Sequence, residues 1–538
     1  MAEYLHFSRD SRLYMEKDGY LWSIPVLDGF SFSQATNASE ITLNEMEDAS
    51  GRSRRGRKMF TDSLSAAEWS FSTYVRPFIS AGSKSSSNGK ADSSAHQHAV
   101  EEALWVAMAG QNVYVPGTGK FKHGSTGGSI SSVVIASGAT DADSGDRAAG
   151  TYNIAVPTVG ADADASATVT GGTQQGGTNA VIQVVVDANK TATVTVTERG
   201  TKFETGQSIT IGDELMGGDG SGDALVLTVT SESFTSDATD LDINFYDSSR
   251  AALGTFNLYF VFSDRSAGRL LYKLENAVVN EASIDFDIDG IATINWSGMA
   301  GQIKEVPTGL GAGQVTAQDA APTASAAKAL WIDTNDSDKI YISTGSGSSS
   351  WYAVIDEGST DTGNFIRNRL TNLTLAPETN FQSDTSFTNS AGSSDSYETS
   401  YNVAITGGNV TISNNISYLT PEELGKVNQP IEHVTGTRSV TGSLTCYLAS
   451  SDAATNRSKN LFADLVSDVN TVINKFAITL AVGGTDTTKP RFQIIMPTAH
   501  LEIPSHSIED VISLETNFHG LGTGVSEGDE VTLKYIGV

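Results

Sequence analysis

Three short stretches of this sequence carry side chains whose types and spacing could do chemistry. The first lies in "IDFDIDGIATINWSG", where Asp285, Asp287, Asp289 and Gly290 spell D-x-D-x-D-G, the opening of a calcium-binding EF-hand loop. Such a loop needs a bidentate Glu at its twelfth position, and counting from Asp285 that position holds Trp296. The interleaved Ile284, Phe286 and Ile288 are large and apolar. Strict alternation therefore predicts a strand with one buried face and one acidic face. The second stretch, "HQHAVEE", brings His96, His98, Glu101 and Glu102 together. His98 and Glu102 stand four apart, which on a helix would present two metal ligands on one face. No further ligand follows at a useful spacing, so the stretch reads as a polar first helical turn with acids near the positive end of the helix dipole. The third, "GRSRRGRK", holds Arg52, Arg54, Arg55, Arg57 and Lys58, a basic cluster able to meet DNA, an acidic partner surface or only solvent.

The rest of the chain has the opposite sign. Lys and Arg number 34 against 63 Asp and Glu, a net charge of −29. A general grip on nucleic acid needs cations to hold phosphates, so that class is excluded for the chain as a whole. The one cysteine, Cys446, excludes an internal disulfide framework and a cysteine zinc site, and reads as a filler of the core. There is no G-x-S-x-G, no H-E-x-x-H and no P-loop. "GMAGQ" and "GLGTG" follow strands without opening a helix and read as turns where Gly supplies positive φ. No enzyme, no metal and no cofactor is expected. No run of 18 apolar residues and no apolar leader at the N-terminus predict a soluble chain made in a cytoplasm.

The elements that position these residues are mostly strands. Gly is abundant at 52 and Pro scarce at 12, and short Val, Ile, Thr and Phe runs alternate with turn residues throughout. Blocks near the two ends match in the same order. "GFSFSQ" resembles "NVTISN" at an offset of 380, and "SFSTYV" resembles "SLTCYL" at 373. A short helix follows in each, with stripes at Val100, Leu104 and Ala107 and at Leu461, Leu465 and Val469. "FNLYFVF" then matches "FAITLAV" at 220, and "NWSGMAG" matches "NFHGLG" at 222. The order implies a duplicated domain. The drop in offset from about 361 to 220 places roughly 140 extra residues in the first copy, as loops accept insertions at modest entropic cost. The expected organisation is a discontinuous first domain, 1–110 and 251–305, around inserted β-rich modules, 111–250. A flexible linker with a small hairpin module bearing exposed aromatics follows, 306–360, and then a second domain, 361–538.

The N-terminal "LYMEKDGYLWSIPVLDGFSFSQATNASEITLNEM" and "RRGRKMFTDSLSAAEWSFSTYVRPF" resemble the major tail tube proteins of long-tailed bacteriophages. "LLYKLENAVVNEASIDFDIDGIATINWSG" looks like the closing strands of the same domain. The resemblance implies a mainly β fold: two tandem β-sandwich or barrel domains, each with one flanking helix, plus inserted small β-modules. It further implies a virion protein assembled in the bacterial cytoplasm, with subunits whose sheets join around a bore. Members with two fused domains form trimeric, pseudo-hexameric rings stacked into a tube. Their partners are copies of themselves, other tail proteins (tape measure, terminator, baseplate or tip) and the double-stranded DNA that passes without sticking, with no membrane insertion. On this reading the basic loop Arg52 to Lys58 contacts the next ring, and Asp285, Asp287 and Asp289 face either the bore or solvent. The rival reading is a tail fibre or adhesin binding host glycans through Trp331, Trp351 and Tyr352.

Overall fold

In a computed structural model, the structure describes residues 6–40, 58–79, 97–110, 130–140, 147–156, 167–170, 178–203, 206–231, 234–236, 241–245, 253–262, 269–353, 365–377, 401–449, 458–466 and 475–536. Four residues of a two-residue-strand hairpin, 114–115 and 120–121, and Ser50 are described besides, and short gaps inside these stretches are not. The fold is mainly β, built of several sheets, and among the described residues no sheet closes into a barrel.

The first half begins with β1 (Ser11–Lys17), β2 (Tyr20–Ile24), β3 (Ser31–Glu40), β4 (Met59–Tyr74) and α1 (Glu102–Ala109). It resumes with β5 (Phe256–Phe262), β6 (Leu270–Asp287), β7 (Thr293–Ala300) and β8 (Gln302–Glu305). The second half runs β9 (Asn372–Pro377), β10 (Tyr401–Val403), β11 (Ile405–Ser413), β12 (Ile416–Leu419), β13 (Glu432–Thr435) and β14 (Ser439–Tyr447). It ends with α2 (Ser458–Leu465), β15 (Phe476–Val482), β16 (Arg491–Leu501), β17 (Ser505–Ile508), β18 (Ile512–Leu521) and β19 (Thr532–Ile536).

The two halves use the same antiparallel pairings. β1 pairs with β2 and β5 as β9 does with β10 and β15. β4 lies between β3 and β7 as β14 lies between β11 and β18. β6 pairs with β5, β7 and β8 as β16 does with β15, β18 and β19. Even one irregularity recurs. The register slips between Phe256 and Leu258 against β6, and between Phe476 and Ile478 against β16. A bulge of this kind bends a long strand so that it serves two sheets.

The ladders correct one sequence match. Ser31 faces Ser70 while Thr411 faces Thr441, so an offset of 380 for β3 requires 371 (441 − 70) for β4. The β7 match at 222 gives the same answer, since Ser297 faces Ser70 and His519 faces Thr441. The offset of 373 is two residues out of step. A slip of two keeps every side chain on its own face, so alternation cannot detect it.

Inside each half, alternate side chains of the two layers meet in one core with the helices against it. α1 departs from expectation. Every residue from Glu102 to Ala109 is buried, so it is an internal helix with no polar stripe. α2 does bury Leu461 and Leu465 and exposes Lys459, whereas Val469 lies outside the described residues.

The extra segment of the first half has a core of its own, from Ile130 to Val229. A four-stranded sheet (Ile130–Ser137, Ala167–Thr170, Ser208–Ile211, Leu225–Ser231) and a three-stranded one (Gly150–Val156, Thr178–Val186, Ala192–Thr201) supply it. The strand Leu241–Asn244 already pairs with β19 in the main sheet. The segment expected to be a flexible linker is also structured. Thr308–Gly309 and Val315–Gln318 run parallel in a five-stranded sheet with Leu330–Asp333, Lys339–Ser343 and Trp351–Ala353. Ile332, Ile340 and Ile342 pack this sheet onto Tyr14, Leu21, Tyr259, Val261 and Leu271, so apolar cover outweighs the loop-like composition.

Candidate functional site: a polar face across eight strands

One pairing joins the halves. The end of β6 runs antiparallel to β11, from Glu281 opposite Ser413 to Asp287 opposite Gly407. The strands β3, β4, β7, β6, β11, β14, β18 and β17 thereby form one continuous surface. Alternation turns Ile284, Trp296, Ile412 and Phe518 into the core and leaves the other parity on the opposite face.

That opposite face is almost uniform in chemistry. One row reads Ser72, Asn295, Ser283, Thr411, Thr441 and His519 across six strands. The next reads Thr293, Asp285, Asn409, Ser443 and Asn517. Glu68, Glu281, Asp287, Glu502 and Glu515 add carboxylates, and among the described residues no Lys or Arg stands on these rows. Neighbouring side chains are tied across the strands. Ser72 Oγ donates to Asn295 Oδ1 at 2.6 Å, and Asn295 Nδ2 donates to Asp285 Oδ2 at 2.7 Å. Thr411 Oγ1 donates to Ser283 Oγ at 3.2 Å, and Ser443 Oγ donates to Asn409 Oδ1 at 3.1 Å. Asn517 Nδ2 donates to Glu502 Oε2 at 2.8 Å. That bond, and then His519, hold the Glu502 carboxyl below the usual carboxylate range. Such ties fix short side chains flat on the sheet and keep their donors engaged.

The D-x-D-x-D-G stretch is divided by this geometry. Asp285 and Asp287 are exposed on the polar face at the end of β6. Asp289 lies beyond the strand in the turn to β7, with Arg369 Nη1 at 3.7 Å from its carboxylate. Gly290 takes φ +124 there, a backbone shape that L side chains rarely adopt. Among the described residues no group of three or more His, Cys, Asp or Glu is gathered to hold a metal ion. Of the basic cluster, Arg52, Arg54, Arg55 and Arg57 lie outside the described residues. Lys58 is exposed, 5.5 Å over the ring of Phe60.

"HQHAVEE" is not an exposed helical turn. His98 belongs to the short strand Gln97–Ala99, and His96 lies outside the described residues. His98 Nδ1 is 3.1 Å from Glu102 Oε2, which also accepts the Ala99 N–H at 3.2 Å, and all three residues are buried. Glu101 is fully buried. Tyr535 Oη donates to its Oε1 at 2.8 Å, and Trp105 Nε1 donates to Tyr535 Oη at 2.6 Å. Burial pushes the Glu101 carboxyl up to about 7, against the hydrogen bonds from Tyr535 and Arg76 that favour its charge. This network clamps α1 to the C-terminal strand β19. Nothing in the sequence links positions 101 and 535, so pattern reading missed Tyr535.

Two further expectations change. Trp331 is buried with its Nε1 donating to the Gln318 carbonyl at 3.0 Å, and its ring stacks on Tyr341 at 4.7 Å. Trp351 Nε1 donates to the Pro322 carbonyl at 2.6 Å, and the side chain of Tyr352 lies outside the described residues. Trp331 is thus buried within its module, and Trp351 is half-buried. Gly298 in "GMAGQ" is a strand residue without positive φ. Its missing side chain makes room for the indole of Trp69. Cys446 is buried, as read, and burial pushes its thiol up to about 11. Among the described residues no helix is long and apolar enough to cross a membrane.

No protein-family model matches the chain. Over 514 residues, 95% of this chain and 70% of the relative, it is 24% identical to a curated protein, "Tail tube protein pb6" of Escherichia phage T5. The resemblance carried by the terminal motifs thus extends along nearly the whole sequence, and the chain is similar to a phage major tail tube protein.

Proposed function

We propose that this chain is a structural, non-enzymatic subunit of a phage tail tube, working as a homo-oligomer among other tail proteins in the virion. The similarity to a tail tube protein supports that level directly. At the finer level, the two halves are two copies of one tail-tube domain, with 130–231 and 306–353 as added modules. Three chains form a ring of six such domains.

The observation that carries the ring is the β6–β11 joint. It shows how one half adds its sheet to the next, edge to edge. β3 pairs only with β4, and β17 only with β18, so each end of the eight-strand surface presents an edge without a strand partner among the described residues. β17 stands in its half where the end of β6 stands in the other, and β3 stands where β11 does. Joining β17 of one copy to β3 of the next repeats the internal joint, and a closed ring leaves no exposed edge.

The polar face then lines the bore. Its carboxylates repel phosphate, and its hydroxyl and amide groups are engaged with one another, so DNA passes without being held. The glycan-binding alternative loses Trp331, which is buried. Negative-stain microscopy and sedimentation of the purified protein test the reading. Rings with a central hole and a trimer mass are expected, and a monomer at every concentration overturns it.

A further inference from the structure

The β6–β11 joint that links the halves ends in a cleft of about 260 Å³. Three separate segments line it. The first half supplies Phe286, Asp287 and Ile288 at the end of β6, and the second supplies Ile405 of β11 and Tyr447 of β14. Between them stand Asn368 and Thr371, at the helical turn Asn368–Leu370 and the residue after it. The turn is fixed against the first half. Asn368 donates its N–H to the Gly290 carbonyl at 3.2 Å, and Thr371 donates its N–H to the Asn368 carbonyl at 2.8 Å.

The cleft holds three groups that lack a donor. Asn368 is 7% exposed, yet its Oδ1 has no hydrogen-bond partner, and neither has Thr371 Oγ1. Buried acceptors of that kind are costly unless an incoming group donates to them. Asp287 is exposed, and among the described residues no cation or hydrogen-bond donor stands against its carboxylate. Arg369 also reaches the cleft, but it is exposed and has Asp289 Oδ1 at 3.7 Å. The walls are apolar. Phe286 is buried and Ile405 half-buried, while Ile288 and Tyr447 are about half exposed, which is unusual for such large side chains facing one opening.

We infer that this cleft binds the ammonium end of a free aliphatic amine, a diamine or polyamine whose methylene chain lies along Ile288, Ile405 and Tyr447. An ammonium carries three donors and no acceptor, which matches Asn368 Oδ1, Thr371 Oγ1 and the Asp287 carboxylate. Its alkyl stem suits the apolar walls, as the stem of a lysine does. Other classes fit worse. A neutral amide leaves Asp287 without a counter-charge, an anion is repelled by it, and a hard metal ion asks for oxygen ligands on all sides, which the apolar walls deny. The cleft is smaller than the ~300 Å³ at which ligand pockets usually begin, so a short chain is the right size. The bound amine touches both halves and braces the joint between them. One chain lines the whole cleft, so the site does not rest on the ring.

Calorimetric titration of the purified full chain with putrescine tests the site, beside butanediol as the neutral analogue and Mg²⁺ as a cation without an aliphatic stem. One putrescine per chain is expected, with no binding of the diol and a melting temperature that rises with putrescine concentration. Asp287→Asn and Thr371→Val are each expected to weaken binding at least tenfold. Thr371→Val keeps the side chain's shape and removes an unpaired group, so the free variant is expected to melt no lower than wild type. Lost binding then reports the contact itself and not a damaged fold. Putrescine binding that survives both substitutions, or Mg²⁺ that competes equally well, overturns the site and leaves only diffuse attraction of cations to an acidic chain. Absence of putrescine binding to wild type overturns it too, and leaves the tail-tube reading standing.

Discussion

The indole of Trp69 occupies the space that a side chain on Gly298 would need, one strand away in the same ladder. The second half solves the same packing problem the other way round. Gly442 sits on β14, and the ring of Phe518 on β18 fills its place. A methyl group on Gly298 would also press on the Val278 carbonyl oxygen, which as backbone has little room to move. Gly298→Ala is therefore expected to destabilise by about 2 kcal/mol or more, and Trp69→Ala by about 3–5 kcal/mol. Chemical denaturation of the purified protein measures both. A Gly298→Ala protein as stable as wild type would contradict the packing described.

Stability should carry a pH signature from Glu101. Its folded carboxyl is raised from 4.5 to about 7, with desolvation the largest cause. Between those values the folded state holds a proton that the unfolded state has lost. The contribution is therefore fully present below about pH 4.5 and is lost as pH rises toward 7. Glu101→Gln keeps an acceptor for Tyr535 and removes the ionisation. It should match wild type near pH 5 and exceed it at pH 8 by an amount on the order of 3 kcal/mol. Melting curves of the two proteins at both pH values decide this. Equal differences at pH 5 and pH 8 would mean that Glu101 does not titrate in its buried site.

Charge reversal on the polar face separates bore from outer surface. With Asp285→Lys and Asp287→Lys combined, assembled tubes are expected to retain short duplex DNA at low salt and release it as salt rises, while wild-type tubes retain none. Tubes of the double variant that ignore DNA would place these two side chains away from the bore.

Cys446 should be chemically silent in the folded chain. A thiol pushed up to about 11 is almost wholly protonated at pH 8, and its side chain is buried. Labelling by a thiol reagent is expected only at the rate of unfolding. Rapid labelling under native conditions would show that β14 opens locally.

Period-two alternation made the strands legible, and with them the acidic parity of Asp285 and Asp287. It fixed the face of each residue and left register free by two, which is where the β4 match slipped. Composition misread 306–329 because Val306, Val315 and Ala317 there pack against the cluster that holds Ile332, a relation only the folded sheet reveals. α1 was given a polar side because Glu101 and Glu102 are charged at neutral pH in water. Tyr535, the partner of Glu101, comes from a distant strand that no local spacing encodes, whereas the His98–Glu102 spacing was legible but joins a strand to the helix.

The β6–β11 joint also bears on how a ring is counted. Six separate domains would have to find six mutual contacts from solution. When three of those contacts are written into the chain, each is made at the effective concentration of a tethered neighbour, and only three remain to be formed by collision. Assembly of the proposed ring would then depend on the third power of subunit concentration in place of the sixth. Covalent linkage frees the halves from identity as well. One half can carry a 130–231 module that the other lacks, so the proposed ring would have a threefold outer surface around a nearly sixfold bore.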